Sequence, residues 1–228
     1  MNVADEGSRR SQILAAATRT FVKRGFEAPT MAELADVCNC ERRTLYRYFP
    51  SKEDLFWAAA ERAYSMLAER ISLVAGVWKS GRVSAVGRVR SWAMTYFDFS
   101  LENPNEFRLI MDAREKTLAI GADAPEGTGP EYVIAKIGRH GAALAALDQR
   151  VLAGLAPLSG QLESEGTCPV GTGAETLWEL LGVLIGLVEF HARYRNGGSG
   201  YPFGTPEGIR SMIDRQVDMA FEAKGEDR

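Results

Sequence analysis

The stretch Thr30–Lys52, TMAELADVCNCERRTLYRYFPSK, decides how the rest of the chain is read. Thr30 is followed three residues on by Glu33, the spacing of a capping box. In that arrangement the hydroxyl accepts from the Glu33 N–H and the carboxylate reaches back to the cap. Met31, Leu34, Ala35 and Cys38 fall at i, i+3, i+4 and i+7, one face of a short helix. Asn39 follows, and Asn tolerates the left-handed conformation in which many helices end. A second helix is expected from near Glu41, with Leu45 and Phe49 turned inward. It must stop at Phe49, because Pro50 pushes the residue before it into an extended conformation. Ser51 followed by Asp54 is a second capping box and opens a third helix. Two short helices joined by a turn of a few residues make a helix-turn-helix.

The exposed side of the second helix then carries Arg42, Arg43, Thr44, Tyr46, Arg47 and Tyr48. Three guanidiniums and two phenols on one short helix suit a nucleic-acid duplex. The N-terminal end of a recognition helix meets base edges, which places Arg42 and Arg43 there. The arginine fork can donate to guanine O6 and N7 together, and Thr44 and Tyr46 can meet thymine methyls or phosphate.

The run Thr44-Leu-Tyr-Arg-Tyr-Phe-Pro-Ser-Lys-Glu-Asp-Leu55 resembles the signature of the TetR family of bacterial transcriptional repressors. So do Ile13-Leu14-Ala15-Ala16-Ala17, Phe21, Arg24-Gly25-Phe26 and Thr30 upstream. The resemblance covers about residues 9–56. Beyond that it is architectural, to an all-helical ligand-binding and dimerisation domain. It implies that Thr30, Tyr48 and Lys52 hold phosphate, and that the last two helices form a four-helix bundle with a second copy. Three positions depart from the family pattern: Asn39 where Gly is usual, Glu41 where Ser or Thr often caps the helix, and Arg43 where a small residue is common.

Charge is distributed to match. Residues 8–52 hold nine Lys/Arg against four Asp/Glu, a net of +5; with a total of −3, the remainder carries −8. A basic module on an acidic body fits a localised DNA contact rather than a general coat. The first fifteen residues are polar, with no secretory pattern. The most apolar run, Leu177–Phe190, is shorter than the ~20 residues a bilayer needs and is interrupted by Glu179. The expected location is the cytoplasm, with no membrane partner. Three cysteines, two of them at 38 and 40, make no disulfide framework.

The fold class expected is all-α: a three-helix helix-turn-helix head over residues 1–52 and a larger helical ligand-binding and dimerisation domain over 53–228. Residues 1–7 are expected to be disordered, with Ser8 capping the first helix and Gly25 ending it. Arg9 and Arg10 read either as a solvated helix start or as an arm touching DNA. Further helices are expected from Ser51 to about Gly76, Ser84 to Leu101, Asn105 to about Glu115, brokenly from Glu131 to about Leu162, Ala174 to about Arg195, and Pro206 to about Ala223. Gly81, residues 118–130, 164–173 and 196–200 read as turns or loops. Leu177–Phe190 is apolar nearly all round, so it must be covered all round.

An apolar cavity could be lined by Trp92, Tyr96, Phe99, Phe107, Met111, Trp178 and Phe190, each of which also reads as plain core. His140, Glu189 and His191 are its polar candidates; their spacing is not that of a metal site. No cofactor motif and no catalytic constellation stands out, so the chain does not read as an enzyme. The expectation is a DNA-binding regulator, a homodimer on a palindromic operator, released by a small hydrophobic effector. Thiol-based redox control through Cys38 and Cys40 is an alternative, weighed against the small apolar packing role that Cys38 has in its stripe. Regulation without any ligand is another.

Overall fold

In a computed structural model, residues 3–78, 83–194 and 205–222 are described, and among them every regular element is helical. Helix α1 (Val3–Arg24) buries Ile13, Leu14, Ala17 and Phe21. It begins at Val3, so Ser8 lies inside the helix rather than at its cap. Two of its hydroxyls are buried, and each is satisfied within the helix: Thr18 Oγ1 donates to Leu14 O (2.8 Å) and Thr20 Oγ1 to Ala16 O (3.0 Å). Gly25 ends the helix at φ +76°, its N–H donating to Phe21 O at 2.7 Å. A Cβ would be strained in that left-handed conformation, which explains the glycine.

Helices α2 (Met31–Val37), α3 (Arg42–Tyr48) and α4 (Lys52–Trp78) follow. Phe26, just past the end of α1, packs back against Phe21, with ring centroids 6.1 Å apart. It joins Phe21, Phe56 and Trp57 in a chain of ring contacts with centroids 5.1–6.1 Å apart. That cluster holds α1, the α1–α2 loop and α4 as one body.

Helix α5 (Ala85–Glu102) starts where expected, with Ser84 as its cap, accepting from Gly87 N–H at 3.2 Å. Helix α6 (Pro104–Ala122) runs seven residues past its expected end at Glu115. Leu118, Ala119 and Ile120 are competent helix formers, and the glycine and proline that suggested a loop lie at 121 and beyond. Then come α7 (Pro130–Ile137), a 3-10 turn (Gly138–His140), α8 (Gly141–Leu152), α9 (Leu158–Ser164), α10 (Gly173–Tyr194) and α11 (Pro206–Glu222). The breaks expected between 131 and 162 are therefore present. Gly141 is there because a Cβ would sit 2.2 Å from Ile134 O. The expectations for Gly81, for 196–200 and for the helix end at Ala223 lie outside the described residues.

The chain divides into two compact units, Met1–Met66 with Asn105–Leu147, and Leu67–Pro104 with Asp148–Arg228. In the first, buried His140 has Nδ1 2.6 Å from Glu61 Oε2 and Nε2 3.3 Å from Asp54 Oδ1, and Arg139 pairs with Asp54. In the second, Trp92, Tyr96, Phe97 and Phe99 of α5 are fully buried, and Trp92 Nε1 donates to Val151 O at 2.8 Å. Arg90 pairs with Asp214 and Asp218, and Arg210 with Asp98, which ties α11 to α5.

Helix α10 buries Leu177, Leu180, Leu181, Leu184, Val188 and His191 on one side only. On the other side Trp178 is 51% exposed, Val183 50% and Phe190 42%. No helix among the described residues is long and apolar enough to cross a membrane.

Candidate nucleic-acid interface

The helix-turn-helix is built from local bonds. The capping box at Thr30 closes in both directions: Thr30 Oγ1 accepts from Glu33 N–H (3.3 Å) and Thr30 N–H donates to Glu33 Oε2 (2.8 Å). Arg24 Nη2 adds a bond to Glu33 Oε1 at 2.9 Å. The Thr30 backbone bond, then Arg24, then the Thr30 hydroxyl, together hold the Glu33 carboxyl down at about 2. A carboxyl depressed in the folded state contributes stability that is complete above its unfolded value near 4.5 and is lost as pH falls towards about 2. We therefore expect Glu33→Gln to lower the melting temperature at neutral pH. The gap to the parent chain should close as pH falls from about 4.5 to about 2, as read by circular dichroism across that range. A gap that stays constant with pH would mean the carboxylate contributes nothing through its charge.

Helix α2 ends in a left-handed turn. Asn39 has φ +49°, the one non-glycine residue with positive φ among those described. Its N–H donates to Asp36 O and that of Cys40 to Ala35 O, both at 3.0 Å, the paired bonds of a Schellman ending. Two residues further on, α3 begins behind Glu41, which has an extended backbone and makes no side-chain cap. Leu45 and Phe49 are fully buried and anchor α3 on one side. Arg42, Arg43, Tyr46 and Arg47 are exposed on the other, with Thr44 and Tyr48 half-buried at its edges. The Arg47 guanidinium lies 5.3 Å from the Tyr48 ring centre, and that of Arg10 5.3 Å from Phe49.

The remaining candidate contact residues lie at the edges of this face. Thr30 is exposed at the α2 N-terminus. Lys52 is half-buried: its ammonium donates to Glu27 O (2.9 Å) and sits 4.6 Å from the Phe26 ring centre. Lys116 of α6 approaches the same ring, at 4.0 Å. Arg9, near the start of α1, reaches back to the turn, with Nη2 donating to Asn39 O at 2.6 Å. Cys38 is buried, and burial pushes its thiol up to about 11, against the opposing pull of Arg9 and Arg19. Burial also raises Cys40. Thiols held in the protonated form are poor redox sensors, because the thiolate is the reactive species.

The eight candidate effector residues fall in both units. Trp92, Tyr96, Phe99, Trp178 and Glu189 belong to the second, and Phe107, Met111 and His140 to the first. Within the second, the Trp92 and Tyr96 rings stack at 5.2 Å, and Tyr96 Oη lies 3.5 Å from Glu189 Oε1. Trp178 faces outward. Phe107 and Met111 are buried in the first unit, where His140 is engaged by Glu61 and Asp54.

Fold and site together define a helix-turn-helix protein with an all-helical body. Residues 13–59 match the model described as "Bacterial regulatory proteins, tetR family". That match lies within the helix-turn-helix head and the start of α4, residues 13–59 of 228. Among curated proteins, it is 34% identical over 106 residues to the HTH-type transcriptional activator FasR of Mycolicibacterium smegmatis, 46% of each chain. It is 34% identical over 103 residues to the nucleoid occlusion factor SlmA of Mannheimia succiniciproducens, 45% of this chain and 46% of that one. The matched region thus spans about half the length of these relatives. Solved structures show the same fold over nearly the whole chain. AibR in complex with isovaleryl coenzyme A and operator DNA has a TM-score of 0.62 at 19% identity, covering 93% of this chain and 98% of that one. A tetR-family regulator from Rhodococcus RHA1 has a TM-score of 0.65 at 17% identity, covering 95% and 97%.

Proposed function

We propose that the chain is a DNA-binding transcriptional regulator, a homodimeric repressor released from a palindromic operator by a small hydrophobic effector. The observation that carries the reading is the outward face of α3, with Arg42, Arg43, Tyr46 and Arg47 exposed over a buried Leu45–Phe49 anchor. A helix so presented fits the major groove, with Arg42 and Arg43 at the end that meets base edges. Thr30, Thr44, Tyr48 and Lys52 would hold the backbone on either side. One short helix spans only a few base pairs, so useful specificity needs two heads about one helical turn (~34 Å) apart. The half-exposed apolar face of α10, with α11 beside it, supplies the seam.

The effector would be held in the second unit by Trp92, Tyr96 and Phe99, with Glu189 as its polar contact. Such a ligand shifts the protein between states only by its differential affinity for them. The raised thiols of Cys38 and Cys40 favour ligand control over redox control.

Selection of fragmented genomic DNA on the purified chain tests the reading. Enrichment of a few palindromes is expected, and diffuse, salt-sensitive recovery would defeat it. On a recovered palindrome, Arg43→Ala should relax base preference at one position, by ~1–3 kcal/mol of lost discrimination. Lys52→Ala should weaken binding to all sequences alike and flatten the salt slope by about one. Equal loss of base preference in both would remove this division of roles. Reporter output from the same palindrome sets the sign, because a rise on binding would make the protein an activator, as the name of FasR describes that protein.

A further inference from the structure

Helix α3 is poorly secured at its own N-terminus. Glu41 makes no side-chain cap, and the residue two positions before it, Asn39, holds φ +49° without being glycine. Left-handed backbone costs a residue with a Cβ more than it costs glycine, though Asn less than most, so the neighbours that hold Asn39 there help to fix the turn. The Asn39 N–H is tied to Asp36 O, which fixes one side of the residue. The other side is the carbonyl, and it accepts from Arg9 Nη2 at 2.6 Å across 30 residues of sequence. The Arg9 guanidinium is itself aimed by Gln12, whose Oε1 lies 3.2 Å from Nη1. Beneath the same turn Cys38 Sγ lies 3.6 Å from Ile13 O, so α1 backs the turn at a second point.

We propose that Arg9 is a positioning residue for DNA recognition. Its fork clamps the Asn39 carbonyl, holds the turn in its left-handed form and so sets where Arg42 and Arg43 enter the groove. The inference rests on α3 being the recognition helix. The contribution assigned to Arg9 is its geometry, since Nη1 and Nη2 are both engaged within the protein, and the salt slope distinguishes this from a phosphate contact. A charge-assisted bond to a backbone carbonyl is among the stronger hydrogen bonds, and its loss frees the turn whose orientation α3 inherits.

The test uses the full-length chain, the palindromic duplex recovered by genomic selection, and Arg9→Ala and Arg9→Lys beside the parent. Affinity is read by fluorescence anisotropy at several salt concentrations, base preference with singly substituted duplexes, and backbone opening by hydrogen exchange without DNA. Arg9→Ala is expected to bind about tenfold more weakly with an unchanged salt slope. Its base preference should broaden at the positions read by Arg42 and Arg43, and exchange should quicken over residues 38–42. Arg9→Lys should fail to restore binding, because one ammonium cannot serve Gln12 and Asn39 as a planar fork does. A slope flattened by about one, with Lys restoring affinity, would make Arg9 a phosphate contact and overturn the proposal; so would unchanged binding. Should the parent chain prefer no duplex, the reading of α3 falls instead. Hydrogen exchange then judges the clamp alone, and unchanged protection over 38–42 overturns it.

Discussion

Replacing Phe56 by alanine is expected to remove about 3–5 kcal/mol from the unfolding free energy, the usual cost of truncating a buried phenylalanine. Phe56 is 2% exposed. Its ring meets Phe21 edge-on at 5.5 Å, Phe26 at 5.2 Å and Trp57 at 5.1 Å. These three neighbours come from α1, the α1–α2 loop and α4, so the cavity would open where the elements of the head converge. Aromatic edge contacts are worth more than their buried area alone, which places the expected loss in the upper part of that range. A domain stable by about 5–15 kcal/mol would retain little margin. Urea unfolding followed by circular dichroism should show a lower midpoint with an unchanged slope. DNA binding should be lost at growth temperature before it is lost in the cold. A change below about 1 kcal/mol would mean that Phe21 and Trp57 close over the gap, and that the cluster does not hold the head together.

The head was legible because its signals are local. The Thr30–Glu33 box, the left-handed Asn39, the buried Leu45 and Phe49, and the stop at Pro50 all lie within a few residues of what they control. The same holds for the start of α5 at Ser84 and the end of α1 at Gly25. What the sequence hid depends on long-range contacts. Arg9 lies 30 residues from the carbonyl it holds, and His140 79 and 86 residues from Glu61 and Asp54. No spacing rule connects such positions. The Arg9 contact was harder still to find, because a helix expected to begin at Ser8 gives Arg9 no fixed direction. Once α1 is extended back to Val3, Arg9 becomes an interior helical residue one turn before Ile13. The end of α6 was misplaced for a different reason. Glycine and proline at 121–130 suggest a loop, whereas the helix-forming Leu118-Ala119-Ile120 before them carry α6 on to Ala122. The effector candidates show the limit of periodicity. It selected Phe107, Met111 and Trp92 as apolar positions on helices, but it could not say that the first two belong to one compact unit and Trp92 to the other.

Val183→Asp should turn the proposed dimer into a monomer at micromolar concentration and cost at least about a hundredfold in affinity for a palindromic duplex. Helix α10 is 22 residues long and α11 17 residues, roughly 33 and 26 Å of rod at 1.5 Å per residue. Two such pairs can bury about the 800 Å² per partner that a stable interface needs. The exposed apolar side chains Trp178, Val183 and Phe190 of α10 and Met219 of α11 are what such a seam would cover. Val183 lines a shallow groove of about 270 Å³ with Thr176, Leu180, Met219 and Ala220, rimmed by Glu179 and Gln216. A carboxylate placed there is harmless in the single chain, because Val183 is already half in water. In a closed seam it would be buried without a partner, at a cost of several kcal/mol. Sedimentation should therefore report a monomer with unchanged helical content. DNA binding should fall to the weak contact of one head, because a single recognition helix loses the linked second half-site. The melting temperature should also lose its dependence on protein concentration, which only a native-state dimer produces. A variant that stays dimeric and keeps its affinity would mean that the two copies meet elsewhere, leaving the apolar face of α10 without the partner proposed for it.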